Sequence, residues 1–536
     1  MPRVFEAAYV PEPPTRPRYR RRDPESTTLH TAIRTHLEPF VEHLRREGGA
    51  LPDFVLRELR AYLRCGVLAH GFQRLACNGC GGARLVGFSC GARTVCPSCG
   101  GRRMADLAAH LVDRVLPWVP IRQWVLSLPW NLRLLVAYDH DLLLDCHRAL
   151  VRSLTCWQRR RARVAGIADA RCGAVAQIQR FSADLSLNPH LHLLTFDGCF
   201  HRPDPHGPPV FRRLPPPSDA DVCAVVQGVA RRMHRALVRR GIDPHDRRRL
   251  QTAAADLGED EPVLAHLAAA SAQGRLAVGR HAGLRPATLG VVPPPDGARR
   301  PPQARSRARQ CAEADGYNLH AAVSVRDDQR DRLEHLCRYL ARPPVANDRL
   351  SLLDDDTVAL RLKRPRRSDG ATHVLLHPFE LLGRLSALVP RPFVNSTLYS
   401  GVLAGAAAWR AEVVPPPPLH DTPPADSPLP CQGRPPPRRR RTLPWADLLY
   451  RVFGIDALRC DECGGAYRRI AEIRDSEVAA TILRWLALPD TALPIVPARP
   501  PPDEDAFDAD DDADDDDDDD ADDPKDWQQE GFDWAA

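Results

Sequence analysis

Two histidines, His190 and His192, stand one residue apart in a stretch that otherwise has the apolar character of a buried β-strand (SLNPHLHLLTFDG, 186–198). The side chains of a strand alternate between its two faces, so both imidazoles point to one face and Leu191 points to the other. Two nitrogen ligands on one face could hold a divalent metal ion. The alternative is a pair of hydrogen-bonded, half-buried histidines, the usual role of an isolated His-x-His.

A tyrosine, Tyr339, lies near the end of a predicted helix with an apolar stripe of leucines (DDQRDRLEHLCRYLARPP, 327–344). A free phenol has a pKa near 10 and is a poor nucleophile at neutral pH. A divalent cation or guanidinium groups would have to activate it or its target, and Arg338 and Arg342 stand beside it. The alternative is a tyrosine that covers the edge of the core with its ring.

These residues together could carry out phosphoryl transfer. Mg²⁺ or Mn²⁺ held by the two imidazoles, a third side chain and water could polarise a phosphate while Tyr339 attacks the phosphorus. Gln179 on the preceding predicted strand and His320 on a later one are both candidates for the third ligand. Gln179 is favoured, because polar residues on neighbouring strands reach the same face.

Four cysteines form two Cys-x-x-Cys pairs separated by fifteen residues, Cys77 with Cys80 and Cys96 with Cys99. This spacing is typical of a structural zinc site in which each pair grips one tetrahedral ion from a tight turn, and glycines follow both pairs. The alternative, four buried free thiols, is less typical of such a pattern. The sequence therefore predicts that these four residues bind one Zn²⁺.

Further potential ligands leave the zinc chemistry open. Cys65, His70 and Cys90 lie close enough in sequence to replace one of the four or to supply part of a second site. Much later, Cys460 and Cys463 form half of a zinc ribbon with no evident second pair. That late pair is a degenerate knuckle, a knuckle that takes ligands from elsewhere, or simply a turn.

The charge of the chain is very unevenly distributed. The net charge is +5, but from Asp503 onward 19 residues are acidic and only Lys525 is basic, which leaves +23 on the rest. Nearly all of that positive charge is arginine, the residue suited to phosphate and base contacts, so we expect a nucleic-acid partner. The bias of a G+C-rich genome would also favour arginine. The DNA-binding candidates are Arg338 and Arg342 beside the tyrosine, and Arg361, Lys363 and Arg364 of a later predicted hairpin.

Sixteen cysteines in 536 residues, several in Cys-x-x-Cys pairs, indicate metal binding in a reducing compartment rather than a disulfide scaffold. The basic N-terminus is not followed by an apolar stretch of signal-peptide length, and no apolar run is long enough to cross a bilayer. We therefore expect a soluble, intracellular protein without a membrane partner.

Helical and strand patterns mixed along so long a chain predict an α+β protein of several domains. The predicted elements include a strand ended by an Asp197-Gly198 turn, a strand NLHAAVSV (318–325) and a hairpin around Asp369-Gly370. The expected segments are a disordered basic arm (1–25), a helical zinc-binding domain (26–116), a domain that contains the two histidines and Tyr339 (117–345), the remainder of that region (346–412), a Pro/Arg linker (413–444), a small Cys-pair segment (445–490) and a disordered acidic tail (491–536).

Three stretches together resemble one family. They are GFQRLACNGCGGARLVGFSCGARTVCPSCGGRRM (71–104), QRFSADLSLNPHLHLLTFDG (179–198) and LCRYLARPPVANDRL (336–350). They look like the insertion-sequence transposases of the HUH (His-hydrophobic-His) superfamily, in the IS91 and ISCR common-region group. The motifs stand in family order, and the similarity covers roughly residues 30 to 480.

The resemblance implies an N-terminal zinc-binding domain followed by a nuclease (117–345) with a central antiparallel sheet, whose two histidines hold the catalytic metal. It also implies a cytoplasmic protein associated with the nucleoid of a prokaryote. In that family a helix-borne tyrosine cleaves single-stranded DNA at the element's ends. The tyrosine stays linked to the 5′ phosphate and leaves a free 3′ hydroxyl for rolling-circle transfer into target DNA. His190 and His192 match the metal pair, and Tyr339 matches the nucleophile.

One departure concerns the number of tyrosines. Two-tyrosine members carry a second tyrosine one helical turn away, where this chain has His335, so it resembles a one-tyrosine version. A second protomer, or a second use of Tyr339, would then complete strand transfer. Two other functions are open: a rolling-circle replication initiator with the same chemistry, and a zinc-dependent DNA-binding regulator in which these residues belong to the core.

Overall fold

The computed structural model describes residues 17–243, 246, 261–290, 310–353, 356–366, 369–414 and 442–498. The chain divides into two compact units. The first combines three separate stretches (Met1–Pro24, Arg64–Ser89 and Pro430–Leu493), and the second contains the remainder. The predicted arm, linker and acidic tail lie largely outside the described residues.

The described residues contain the following helices and strands. The α-helices are α1 (Thr28–Arg46), α2 (Asp53–Leu63), α3 (Pro97–Arg114), α4 (Arg133–Tyr138), α5 (His140–Val164), α6 (Asp219–Arg239), α7 (Pro262–Ala272), α8 (Arg330–Leu340), α9 (Pro378–Leu388), α10 (Arg410–Val413), α11 (Trp445–Phe453) and α12 (Ser476–Trp485). The strands are β1 (Phe72–Cys77), β2 (Ala83–Gly87), β3 (Ile121–Ser127), β4 (Gly173–Phe181), β5 (Leu187–Phe196), β6 (Gly198–His201), β7 (Val210–Arg213), β8 (Thr288–Gly290), β9 (Cys311–Ala314), β10 (Tyr317–His320), β11 (Ser324–Val325), β12 (Leu350–Leu352), β13 (Val358–Arg361), β14 (Ala371–Leu376), β15 (Thr397–Gly401) and β16 (Tyr467–Ile473).

The second unit is built on a seven-stranded antiparallel sheet. Its strand order is β15-β4-β5-β3-β10-β9, and the short β11 also pairs with β3. The long strands β4 and β5 lie at its centre and are rich in the β-branched and apolar residues that suit a buried sheet. A smaller four-stranded sheet, in the order β12-β13-β14-β8, belongs to the same unit.

Both faces of the seven-stranded sheet are covered by helices, so each alternate set of strand residues has a core to enter. On one face Trp124, Leu191 and Leu193 pack in a core with residues of α5 and α6. On the other face Leu194 and Phe196 pack in a core with residues of α3 and α8. Helix α8 is therefore held against the face opposite α5.

The first unit has its own three-stranded antiparallel sheet in the order β16-β1-β2. Phe72 of β1 pairs with Ile473 of β16 on one side and with Gly87 of β2 on the other. A small apolar core beneath this sheet includes Phe72 and Leu483 of α12.

These elements confirm the predicted mixture of helices with antiparallel sheets, and three local predictions are wrong. The segment 26–116 is not simply helical, since it includes β1 and β2 besides three helices. The stretch 318–325 forms two strands, because its pairing with β3 shifts by one residue between His320, which lies opposite Val125, and Ser324, which lies opposite Arg122. Asp197 does not form a hairpin turn: its carboxylate binds Arg122, and β6 begins at the next residue.

The predicted hairpin around Asp369-Gly370 is borne out, because β13 and β14 pair antiparallel, with Arg361 opposite His373. The predicted helix that ends in Tyr339 is also present as α8, and its leucines are buried.

A buried ion pair ties three parts of the large sheet together. The Arg122 guanidinium on β3 donates to both carboxylate oxygens of Asp197 after β5 (2.6 and 2.8 Å) and to the Ala321 carbonyl after β10 (2.7 Å). Ser324 also donates to Asp197 (2.9 Å). Because the guanidinium is 5% exposed, it depends on these partners for compensation of its charge.

We predict that Asp197→Ala lowers the free energy of unfolding by about 3–5 kcal/mol, because it leaves a buried guanidinium without its counter-charge. Urea unfolding followed by tryptophan fluorescence measures this change. The control is Asp328→Ala, which removes an exposed ion pair with Arg326 and should change stability by less than about 1 kcal/mol. Equal, small effects of the two substitutions would contradict the structural role of Asp197.

Candidate metal and tyrosine site

The register between β4 and β5 places four polar side chains on one face of the large sheet. Gln179 lies directly opposite His190, and Gln177 lies directly opposite His192. Residues that face each other in this way point to the same side of an antiparallel pair. His190, His192 and Gln179 therefore share one face, as the sequence predicted.

His190 is oriented by its own strand. Its Nδ1 makes a 2.8 Å hydrogen bond with the Asn188 carbonyl, and since a carbonyl can only accept, Nδ1 carries the proton. Nε2 then keeps the lone pair that a metal ion requires. The His190 and His192 rings lie close together, with centroids 4.9 Å apart.

His192 is buried, and its Nε2 has no hydrogen-bond partner. Its Nδ1 lies 2.8 Å from the side-chain amide of Gln123 on β3, whose amide oxygen also lacks a partner. The amide atom at this distance is Nε2 of Gln123. A metal ion at Nε2 of His192 requires the proton on Nδ1, and Nδ1–H can donate to the amide oxygen of Gln123 when the amide group is turned over so that its oxygen faces the ring. Gln123 is thus placed to fix both the ring and its tautomer.

Gln179 joins the strand to the helix that carries the tyrosine. Its amide nitrogen donates to the carbonyls of Tyr339 (3.1 Å) and Leu340 (2.7 Å), which lie at the C-terminal end of α8. Its amide oxygen is buried and has no partner. The hydrogen bonds hold the amide so that its oxygen remains available as a ligand.

The donor set fits a divalent cation. Two imidazole nitrogens and an amide oxygen are suitable ligands for Mn²⁺, and for Mg²⁺ with additional water. Nε2 of His192 and Oε1 of Gln179 are buried and make no hydrogen bond, so both atoms are available as ligands and fit such an ion. His320, the other candidate, lies on β10 opposite Val125 of β3. Strand β10 is two strands away from β5 in the sheet.

Burial keeps both imidazoles neutral. Burial is the main cause that lowers the pKa of His190 to about 4. The hydrogen bond to the Asn188 carbonyl raises this pKa, and the nearby Arg342 and Arg133 guanidinium groups lower it. Burial likewise holds the pKa of His192 well below its usual range, with additional effects from His190 and Arg342. Neutral imidazoles keep their lone pairs for metal binding at physiological pH.

Tyr339 lies in the last turn of α8, with its ring edge-on to His192 at a centroid distance of 6.0 Å. The Arg342 guanidinium lies 4.7 Å from the centre of the Tyr339 ring, and the Lys363 ammonium lies 5.3 Å from it. The ring is partly exposed. The structure therefore brings the predicted nucleophile, the predicted metal ligands and two cations together.

The other predicted DNA-binding residues are less closely joined to this group. Arg338 is partly buried and pairs with Glu334 of the same helix (3.8 Å). Arg361 is exposed and pairs with Asp348 (3.3 Å), and Arg364 is also exposed. Of the five candidates, only Arg342 and Lys363 contact the tyrosine ring.

The four cysteines of the predicted zinc site do not lie together. Cys77 and Cys80 belong to the first unit, whereas Cys96 and Cys99 belong to the second. Cys96 and Cys99 lie instead with Cys90, the three sulfur atoms being within 4.8 Å of one another. Cys96 also caps the start of α3, where its sulfur accepts a hydrogen bond from Cys99 N–H. Each Cys-x-x-Cys pair therefore lies with other cysteines and not with the other pair, so the predicted grouping of the four is wrong.

In the first unit, Cys77 and Cys80 lie with Cys460 and Cys463, again with all sulfur atoms within 4.8 Å. Sequence analysis left Cys460 and Cys463 open and missed Gln123 completely. The Cys-x-x-Cys-Gly-Gly pattern that both cysteine pairs of this group share was the available signal. No signal marked Gln123, because glutamine in a strand has many roles.

Two family models match this chain. The transposase zinc-binding domain of the IS91 type (Zn_Tnp_IS91) matches residues 32–128, and the transposase family Y2_Tnp matches residues 173–410. The second match contains β4, β5 and α8, the three elements that form the site. No curated protein and no solved structure matches the chain. The two models define the class of protein as a transposase.

The order of the two models, zinc-binding domain first, agrees with the motif order in the sequence. The chain belongs to the IS91-type transposases. Membership implies a DNA-binding protein of an insertion sequence that acts in transposition, and the zinc-binding domain together with the cysteine groups supports structural zinc. Within the described residues, none of the helices has the length and apolar character needed to span a membrane.

We predict that Mn²⁺ affinity changes little between pH 8 and pH 6. The pKa of both histidines is lowered, so protons compete with the metal only as the pH approaches about 4. Isothermal titration calorimetry at several pH values measures this. A tenfold loss of affinity for each pH unit below about 6.5, as for exposed imidazoles, would contradict the geometry.

The matched variants are His192→Ala and His335→Ala. The first removes a proposed ligand and should weaken Mn²⁺ binding by roughly tenfold to a hundredfold or more. The second changes an exposed histidine of α8 that contacts only its own helix carbonyl in the described structure, and it should leave binding unchanged.

Proposed function

We propose that this transposase nicks and rejoins single-stranded DNA at the ends of its element through a 5′-phosphotyrosine on Tyr339. The observation that carries the proposal is the ring of Tyr339 beside His192, whose buried Nε2 has no partner. The large antiparallel sheet with two histidines on its central strand supports an HUH-type nuclease. We accordingly interpret residues 117–345 as that nuclease.

Residues of the chain supply the nucleophile and its orientation. The Tyr339 phenol oxygen attacks the scissile phosphorus, a new phosphorus–oxygen bond forms, and the bond to the 3′ oxygen of the preceding nucleotide breaks. The phenol proton is lost to solvent, and the 3′ oxygen leaves as a hydroxyl after taking up a proton. Attack of a 3′ hydroxyl on the phosphotyrosine reverses these steps and rejoins the strand.

A Mg²⁺ or Mn²⁺ ion bound by His190, His192 and Gln179 would polarise the scissile phosphate. Arg342 and Lys363 flank the Tyr339 ring, where their positive charges can balance a phosphate that approaches the phenol. Gln179 holds the end of α8 through two carbonyls and so keeps Tyr339 at a fixed distance from the ligand set. Positioning of this kind is a large part of phosphoryl-transfer catalysis.

A single tyrosine limits how strand transfer can be completed. His335, one helical turn before Tyr339, is exposed and cannot serve as a second phosphotyrosine. A full cycle therefore needs either a second protomer or a second use of Tyr339 after the first strand has been rejoined. Cleavage of one strand and its reversal require only one active site.

We predict that Tyr339→Phe abolishes covalent attachment to DNA and lowers cleavage by at least about a thousandfold, because no hydroxyl remains to attack. Denaturing electrophoresis with labelled single-stranded oligonucleotides from the element's termini, with Mn²⁺, measures both. The matched control is Tyr399→Phe, a partly exposed tyrosine of β15, which should cleave like the wild type.

DNA binding separates this proposal from a general loss of structure. Tyr339→Phe should keep its affinity for the same oligonucleotide, and a chelator should stop cleavage by the wild type. Adducts that persist in Tyr339→Phe would contradict the assignment of the nucleophile. Binding of authentic ends without cleavage by the wild type would favour a non-catalytic regulator or a decayed copy.

We also predict that Lys363→Ala with Arg364→Ala weakens binding to single-stranded DNA equally for all sequences, because these exposed cations would meet phosphates. The slope of log affinity against log salt should fall by about 0.7 for each phosphate that the variant no longer neutralises. Fluorescence anisotropy at several salt concentrations measures it. Arg57→Ala, an exposed arginine of α2, is the control. A slope equal to that of the wild type would exclude both residues from the interface.

A further inference from the structure

Two short segments of the first unit, 383 residues apart in sequence, have the same local structure. The first is Cys-Asn-Gly-Cys-Gly-Gly at 77–82, and the second is Cys-Asp-Glu-Cys-Gly-Gly at 460–465. In each, the N–H of the first cysteine donates to the carbonyl of the last glycine, at 2.9 Å in one and 2.7 Å in the other. The two segments are therefore equivalent turns, which we call the early and the late knuckle.

The equivalence extends to the remaining hydrogen bonds of each turn. Gly81 N–H donates to the Cys77 carbonyl, and Gly464 N–H donates to the Cys460 carbonyl, both at 3.0 Å. Both glycines have a left-handed backbone, with φ of +73° and +72°. This conformation favours glycine, so the shape of the turn explains the first glycine after each cysteine pair.

The four sulfur atoms of the two knuckles converge on one point. Sγ of Cys77 lies 3.3 Å from Sγ of Cys463, and Sγ of Cys80 lies 3.7 Å from Sγ of Cys460. All four lie within 4.8 Å of one another. Four thiolates around a zinc ion with bonds of about 2.3 Å would have sulfur atoms roughly 3.8 Å apart, so the cluster has the required size.

The backbone is shaped to surround these sulfur atoms. Gly79 N–H donates to Sγ of Cys77 and Gly465 N–H donates to Sγ of Cys463, both at 3.4 Å, as is usual for a coordinated thiolate. A Cβ at Gly79 would lie 2.9 Å from Sγ of Cys463, and a Cβ at Gly465 would lie 3.0 Å from Sγ of Cys77. Each knuckle thus leaves room for the cysteines of the other.

Neighbouring contacts hold the knuckles in this arrangement. Strand β1 leads into the early knuckle and β16 follows the late one, and the two strands pair so that Cys77 lies opposite Tyr467. Arg84 of β2 donates to the Ala457 carbonyl (2.6 Å), pairs with Asp461 within the late knuckle (2.7 Å) and lies over the Tyr467 ring. The late knuckle is therefore an integral part of the small sheet.

We propose that Cys77, Cys80, Cys460 and Cys463 together bind one structural zinc ion. The two knuckles form a zinc ribbon whose halves lie 383 residues apart in the sequence. The matched zinc-binding domain ends at residue 128 and does not include the second half. Binding releases the protons of the four thiols and changes no oxidation state, whereas two disulfides in the same place would require an oxidant. The ion joins the late knuckle, which leads into β16, to the early knuckle, which follows β1 in the same small sheet.

The test is the zinc content of the purified full-length protein in the presence of a reducing agent, measured by plasma mass spectrometry. The double variant Cys460→Ser/Cys463→Ser should hold one zinc equivalent less than the wild type. The matched control is Cys156→Ser, an exposed cysteine of α5, which should hold the wild-type amount. An unchanged content in the double variant would overturn the proposal.

A conservative variant separates loss of a ligand from loss of folding. Cys463→His should retain the full zinc content, since three cysteines and one histidine also bind zinc. After replacement of zinc by cobalt, it should lose part of the sulfur-to-cobalt absorption relative to the wild type. An unchanged cobalt spectrum, or a Cys77–Cys463 disulfide found by mass spectrometry under reducing conditions, would overturn the proposal. Neither readout depends on DNA cleavage.

Discussion

The antiparallel register of β4 and β5 is the constraint on which the rest of the site depends. It sets Gln179 opposite His190 and places His192 on the same face. A shift by one residue would turn the histidines toward the core that α5 and α6 cover, and would bring leucines to the site. The register is fixed because apolar residues alternate into two separate cores, one on each face of the sheet. The chemistry is therefore positioned by the packing of the whole sheet.

The site contains an unfavourable arrangement that ligand binding would relieve. An unpaired buried polar atom costs about 1–3 kcal/mol, and both Nε2 of His192 and Oε1 of Gln179 are in this state. Gln123 and Asn188 hold the imidazoles, and Gln179 holds the end of α8, so relaxation of one group would disturb the others. Such preorganisation has a cost in stability. Under the proposed function it also has a benefit, because the proposed ligands and nucleophile need not be ordered when DNA binds.

Local patterns in the sequence predicted local structure well. The alternation along β5 predicted that His190 and His192 share a face, and helical spacing predicted α8 with Tyr339 at its edge. The assignment of zinc ligands went beyond what local spacing can determine. Each Cys-x-x-Cys pair supplies only half of a tetrahedral site, and the pairing of Cys77 with Cys463 depends on strands nearly 400 residues apart. Gln123 could not be recognised, because its role follows from the pairing of β3 with β5.

The central claim is that Tyr339 forms the covalent bond to DNA. The most direct measurement is tandem mass spectrometry of the protein after reaction with Mn²⁺ and single-stranded DNA from the element's end, followed by digestion with nuclease and protease. The account predicts a nucleotide linked through its 5′ phosphate to the tyrosine of the peptide that contains Leu340 and Ala341. A nucleotide linked to any other residue, or cleaved DNA with no modified peptide, would contradict it.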